Sequence, residues 1–148
     1  MELQEVYQAI INGRAILLTG SGAHMSAVRM DKACGIEDPD NVADLQDAAD
    51  TYLEVKSPDE LISEIKKNLY VTQVKQEHKN LYTQDWQRVY TTNYDEIPIL
   101  SSKESEKPLY PVTLSDDVQI ERENRKQCIY INGYIGKLNK NTLQSEFK

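Results

Sequence analysis

The chain predicts an α/β fold, Rossmann-like and three-layered, built on a mainly parallel sheet. Three observations carry this. First, the apolar runs Ala15-Ile16-Leu17-Leu18, Arg88-Val89-Tyr90 and Cys128-Ile129-Tyr130-Ile131 are only a few residues long, as expected of strands buried on both faces. Second, stretches of helical periodicity separate those runs. Third, polar loops follow directly, Thr19-Gly20-Ser21-Gly22 behind the first run and Thr91-Thr92-Asn93-Tyr94-Asp95 behind the second. In open α/β sheets ligands bind in the crevice beyond the carboxyl ends of the strands, so two such loops can face one pocket.

Each element has its own reason. Leu3, Val6, Tyr7 and Ile10 recur at i, i+3, i+4 and i+7, giving a helix with one apolar stripe that Asn12-Gly13 stops. A strand over 14–19 follows. Beyond the glycine loop, Met25 to Ala33 can form a helix closed by Gly35, and Asp40 caps a third with Val42, Leu45, Ala49 and Tyr52 inward. Ser57-Pro58-Asp59-Glu60 combines a capping serine, a proline at the first helical position and acids in the first turn; the stripe Leu61, Ile65, Leu69 follows. A weaker helical stretch spans Val74 to Tyr82. After Trp86 come the strand at 88–92 and a short helical turn beyond Asp95, where Pro98 is tolerated because early helical N–H groups lack partners. Ser101 to Lys107 reads as a polar connector, Leu109 to Leu114 as a strand, Val118 to Ile120 as ambiguous, and Cys128 to Ile131 as a short strand. Periodicity is lost over Leu138 to Thr142 with no further strand, and a doubly wound sheet normally has more. The expectation is one domain over 1–148 that forms the front part of a longer polypeptide.

Composition narrows the function. At 148 residues, with 39% hydrophobic and 28% charged residues, the chain can bury a core of its own. Its apolar runs are too short to span a bilayer, and the acidic start Met1-Glu2-Leu3-Gln4-Glu5 lacks the apolar segment of a signal peptide, so the cytoplasm is the expected location. The net charge is −7, and between Glu37 and Glu60 the acids face a single base, Lys56; nucleic-acid binding by bulk charge is not expected. Two cysteines, Cys34 and Cys128, provide neither a four-cysteine zinc site nor a disulfide framework.

The loops hold the candidate chemistry. A glycine pair between strand and helix admits close backbone approach and aims N–H groups at an anion such as a phosphate, and a plain tight turn would use the same residues. His24, in the same segment, is a pH-dependent contact or an exposed loop histidine. Asn93 at a strand end can hold a ribose hydroxyl or position a water, with Thr91, Thr92 and Asp95 fixing the turn; equally, Asn93 or Asp95 caps the next helix.

In order and spacing these residues resemble the sirtuin-like domain of bacterial NAD-consuming antiviral defence proteins. The resemblance rests on Leu18-Thr19-Gly20-Ser21-Gly22 and on Val89-Tyr90-Thr91-Thr92-Asn93-Tyr94-Asp95, the latter close to that family's strand-plus-TTNYD signature. It implies NAD+ as substrate, with no metal. The phosphates would lie against Thr19, Gly20, Ser21 and Gly22, and Thr92, Asp95 and Gly133 would contribute to the same site. Asn93 would hold the nicotinamide ribose or the attacking water. It also implies a homo-oligomer and a regulatory domain or partner protein that senses infection. Two departures stand out. Where the family has a strand followed by His-Gly, this chain has Cys128-Ile129-Tyr130-Ile131-Asn132-Gly133, and asparagine cannot relay a proton. The glycine loop continues Ala23-His24-Met25-Ser26 where the family has serine two residues beyond its second glycine, leaving the roles of His24 and Ser26 open. Without the four-cysteine module of sirtuin deacetylases, deacetylation is disfavoured and water is the expected acceptor. Two alternatives remain: a catalytically silent nucleotide-binding or assembly module, and a reading of Asn132-Gly133 as the type I′ turn of a β-hairpin.

Overall fold

The structure is a computed structural model of the whole chain, and it describes residues 3–20, 50, 52–116 and 125–143. Helix α1 (Leu3–Ile11) leads into strand β1 (Ile16–Thr19). Helices α2 (Pro58–Leu69) and α3 (Gln76–Tyr82) precede β2 (Arg88–Thr91), and α4 (Ile97–Ser102) precedes β3 (Tyr110–Thr113). Strand β4 (Gln127–Tyr130) ends in a 3-10 turn, Ile135–Lys137. The four strands form one sheet in the order β1-β2-β4-β3, and every neighbouring pair is parallel. The α/β class read from the sequence is the class observed. Among the described residues no helix is long and apolar enough to cross a membrane.

The start of α2 forms for the local reasons its sequence carries. Ser57 Oγ accepts the Glu60 N–H at 3.3 Å while the Glu60 carboxylate takes the Ser57 N–H at 3.1 Å, a reciprocal capping box with Pro58 opening the helix. Leu61, Ile62 and Ile65 then turn inward. They join Val89 of β2 and Cys128 and Tyr130 of β4 in one core cluster. The parallel register sets Val89 beside Cys128 and Thr91 beside Tyr130, so the period of two puts all four on the same face.

Helix α1 forms where its stripe predicts it, and it has no buried residue: Leu3 is 88% and Tyr7 61% exposed. One expectation about burial fails. Strand β1, expected to be covered on both faces, leaves Ile16 and Leu18 exposed. Lying at the end of the described strand order, β1 has one strand neighbour rather than two. The expected helices over Met25–Ala33 and from Asp40, and the ambiguous Val118–Ile120, lie outside the described residues.

Candidate functional site

Parallel strands bring their carboxyl ends to one edge, and three adjacent strands deliver the sequence's candidate residues there. β1 ends at Thr19 and passes into Gly20, β2 ends at Thr91 before Thr92 and Asn93, and β4 ends at Tyr130 before Asn132 and Gly133. The exits are bonded to one another. Thr92 N–H donates to the Thr19 carbonyl at 3.0 Å, Ile131 N–H donates to the Thr91 carbonyl at 2.9 Å, and the Asn132 amide donates to the Thr92 carbonyl at 3.1 Å. Thr92 is thus the shared node of the three exits.

Gly20 stands where a side chain would crowd the neighbouring exit. A Cβ added there would lie 2.2 Å from Thr92 Oγ1, far inside any contact distance, so a bare backbone is what lets the first exit close on the second. Ser21, Gly22, His24 and Ser26 lie outside the described residues.

The turn after β2 is fixed by its own side chains. Buried Thr91 accepts the Asn93 N–H on Oγ1 at 3.1 Å, and Asp95 Oδ1 accepts the Ile97 N–H at 2.9 Å where α4 begins. Asp95 thus closes a local turn just before α4, whose N-cap residue is Glu96 and carries no side-chain cap, so neither Asn93 nor Asp95 is the cap that the sequence offered. Burial pushes its carboxyl above the ordinary value, opposed by the Ile97 N–H and by the nearby His78. Asn93 is half-buried.

At the third exit the hairpin reading is overturned. A type I′ turn needs positive φ at both central residues, yet of Asn132 and Gly133 only Gly133 has one, at +118°. β4 is flanked on both sides by parallel strands, and the chain beyond Gly133 enters the 3-10 turn instead. Because the partner of the Asn132 amide is a carbonyl, the nitrogen faces Thr92 and Oδ1 is left as the acceptor.

Sequence reasoning missed the tyrosines that brace this edge. Tyr82 OH donates to Thr19 Oγ1 at 3.2 Å, Tyr130 OH to the Asp95 carbonyl at 2.8 Å, and Tyr134 OH to the Glu96 carboxylate at 3.1 Å. The Tyr130 and Tyr134 rings pack with centroids 4.6 Å apart. Burial raises all three phenols, so they stay protonated donors at neutral pH. The signal was compositional: nine tyrosines against one phenylalanine mark aromatic positions that use a hydroxyl.

The arrangement offers a close glycine approach at one exit and the Asn132 carboxamide at another, with half-buried Asn93 on the exit between them. Comparison of the chain with protein-family models, curated proteins and solved structures returns no match.

Proposed function

We propose that the carboxyl edge binds NAD+ and that its chemistry is hydrolysis of the bond between nicotinamide and ribose, as in the sirtuin-like effector domains of bacterial antiviral defence that the loops resemble. The observation that supports this most is the junction at Thr92. It ties the exits of β1, β2 and β4 together, so the glycine loop, Asn93 and Asn132 come from contiguous strand ends.

On this reading the dinucleotide's phosphates take backbone N–H groups of the glycine loop, and that remote binding orients the ribose. Asn93 holds a ribose hydroxyl or the attacking water. The C1′–N bond breaks with its electron pair going to nicotinamide, the water oxygen bonds to C1′, and one proton must leave that water. Asn132 cannot accept it; its Oδ1 can only accept a hydrogen bond from a ribose hydroxyl. A histidine there could give an Nδ1–H to the Thr92 carbonyl and keep Nε2 as a base.

Asn132 also favours a second reading, a silent module that binds the nucleotide without cleaving it. One experiment separates the two: NAD+ affinity and nicotinamide release are measured for the chain and for Asn132→His. Hydrolysis expects bound NAD+ in both and release that rises about 10²–10⁴-fold with histidine, the usual worth of a positioned general base. Binding with no release from either supports the silent module. No binding by either refutes both.

A further inference from the structure

The opposite edge of the sheet holds a cavity that the carboxyl-edge chemistry does not use. It lies beyond the amino ends of β2, β4 and β3, between the segments that enter those strands, and has a volume of about 600 Å³. That is within the range of roughly 300–1,000 Å³ typical of small-molecule sites. Four-residue strands at about 3.3 Å per residue put some 13 Å between the two edges, so one small ligand cannot touch both.

We propose that this cavity is a second binding site, taking a small anion carried on a flat ring, of which a nucleoside monophosphate is the simplest example. The walls divide by chemistry. Trp86, Pro108, Leu109 and Tyr110 give an apolar, partly aromatic side on which a planar ring can stack. Lys107, Arg125 and Lys126 give a cationic side, and the Arg125 guanidinium already stands 5.3 Å from the centroid of the Tyr110 ring. With Asp85 and Glu106 also present, the lining carries three cations against two carboxylates, in a chain whose net charge is −7.

Two lysines converge on one carboxylate at this edge. Lys107 lies 3.3 Å and Lys126 3.6 Å from the same Asp85 oxygen, so two ammonium groups share one carboxylate. The Lys126 side chain is 12% exposed and also donates to the Gln84 carbonyl at 2.6 Å, which fixes it in the wall. Lys107, at 67% exposure, is free to swing toward an incoming phosphate. Burial lowers the Lys126 ammonium from its ordinary value, the direction that a further anion would reverse. A neighbouring cavity of about 410 Å³, lined by Asp85, Glu106, Lys107 and Lys126 among others, extends the open space at this edge.

Trp86 is the only tryptophan in the chain, so emission excited selectively from tryptophan, and not from the nine tyrosines, reports this edge. The chain is titrated with AMP, with adenosine and with inorganic phosphate, following tryptophan emission and, in parallel, heat of binding. The expected result is saturable AMP binding that shifts the emission and is about tenfold or more tighter than binding of either fragment. Lys107→Ala, an exposed position that does not threaten the fold, weakens the tryptophan-detected binding about tenfold, as does Tyr110→Leu. AMP heat that disappears with Asn132→Ala but not with Lys107→Ala would place AMP at the carboxyl edge and overturn the proposal while favouring the NAD+ reading. Absence of saturable binding overturns it too, as do fragments that bind as tightly as AMP.

Discussion

Gly20→Ala measures how tightly the first two strand exits are closed on each other. The new methyl would lie 2.2 Å from Thr92 Oγ1, about 1.2 Å short of the 3.4 Å at which ordinary contact begins. Thr92 cannot retreat cheaply, because its N–H is held by the Thr19 carbonyl at 3.0 Å and its χ1 is stiff. Overpacking of this kind costs about 1–3 kcal/mol. At about 2–4 °C per kcal/mol for a domain this size, the loss in Tm is roughly 2–12 °C. The partner is specific, which makes the test sharp. After Oγ1 the nearest atoms are Thr92 Cβ at 3.5 Å and Cγ2 at 3.9 Å, both ordinary contacts, so Thr92→Ala removes the clash. Thr92→Val, which puts a methyl in place of the hydroxyl, does not. A double-mutant cycle by urea denaturation should give a coupling of about 1–3 kcal/mol for Gly20→Ala with Thr92→Ala and near zero with Thr92→Val. A Gly20→Ala protein as stable as the parent, or one that Thr92→Ala fails to rescue, refutes the close approach. On the proposed function, NAD+ binding stays weakened in the rescued double variant, since the methyl still occupies the glycine loop.

Three further outcomes follow from the geometry. Asp95→Asn keeps an acceptor for the Ile97 N–H and removes a carboxyl raised from 3.8 by burial; the folded state binds that proton more tightly, so the parent loses stability as pH climbs from 3.8 to the raised value. The variant should therefore gain on the parent across that window in pH-resolved urea melts, and a flat or falling difference contradicts the assignment. Cys128, fully buried with its thiol pushed up to about 12, should stay unalkylated in native protein and react once unfolded, as peptide mass spectrometry will show; native labelling at that peptide would disprove its burial. Ser57→Ala should lower stability by about 1 kcal/mol through loss of the α2 cap, and an unchanged melting curve would mean that the cap is dispensable.

What could be read in advance was what is local. The α2 start was legible because its determinants lie within four consecutive residues, and β2 and β4 were legible because their apolar runs are bounded by polar turns. The stripe of α1 predicted a helix correctly and left its burial open, since periodicity shows which residues share a face and not what covers it. The Asn132-Gly133 dipeptide is a hairpin signal on its own. It lost because β4 already has parallel neighbours on both sides, a fact of topology that no dipeptide contains.

The bonds that join the candidate site link residues far apart in sequence. Tyr82 reaches Thr19 across 63 positions and Asn132 reaches Thr92 across 40, so neither pairing leaves a mark in any short window. Sequence order put the glycine loop, Asn93 and Asn132 at strand ends; only the sheet order β1-β2-β4 makes those ends neighbours. The same order brings Asp85, Lys107 and Lys126 together at the other edge, from the entries to β2, β3 and β4. Segments entering adjacent parallel strands meet for the same reason as segments leaving them. A parallel sheet therefore builds two juxtapositions with one topology, and the chemistry of the residues decides which of them binds.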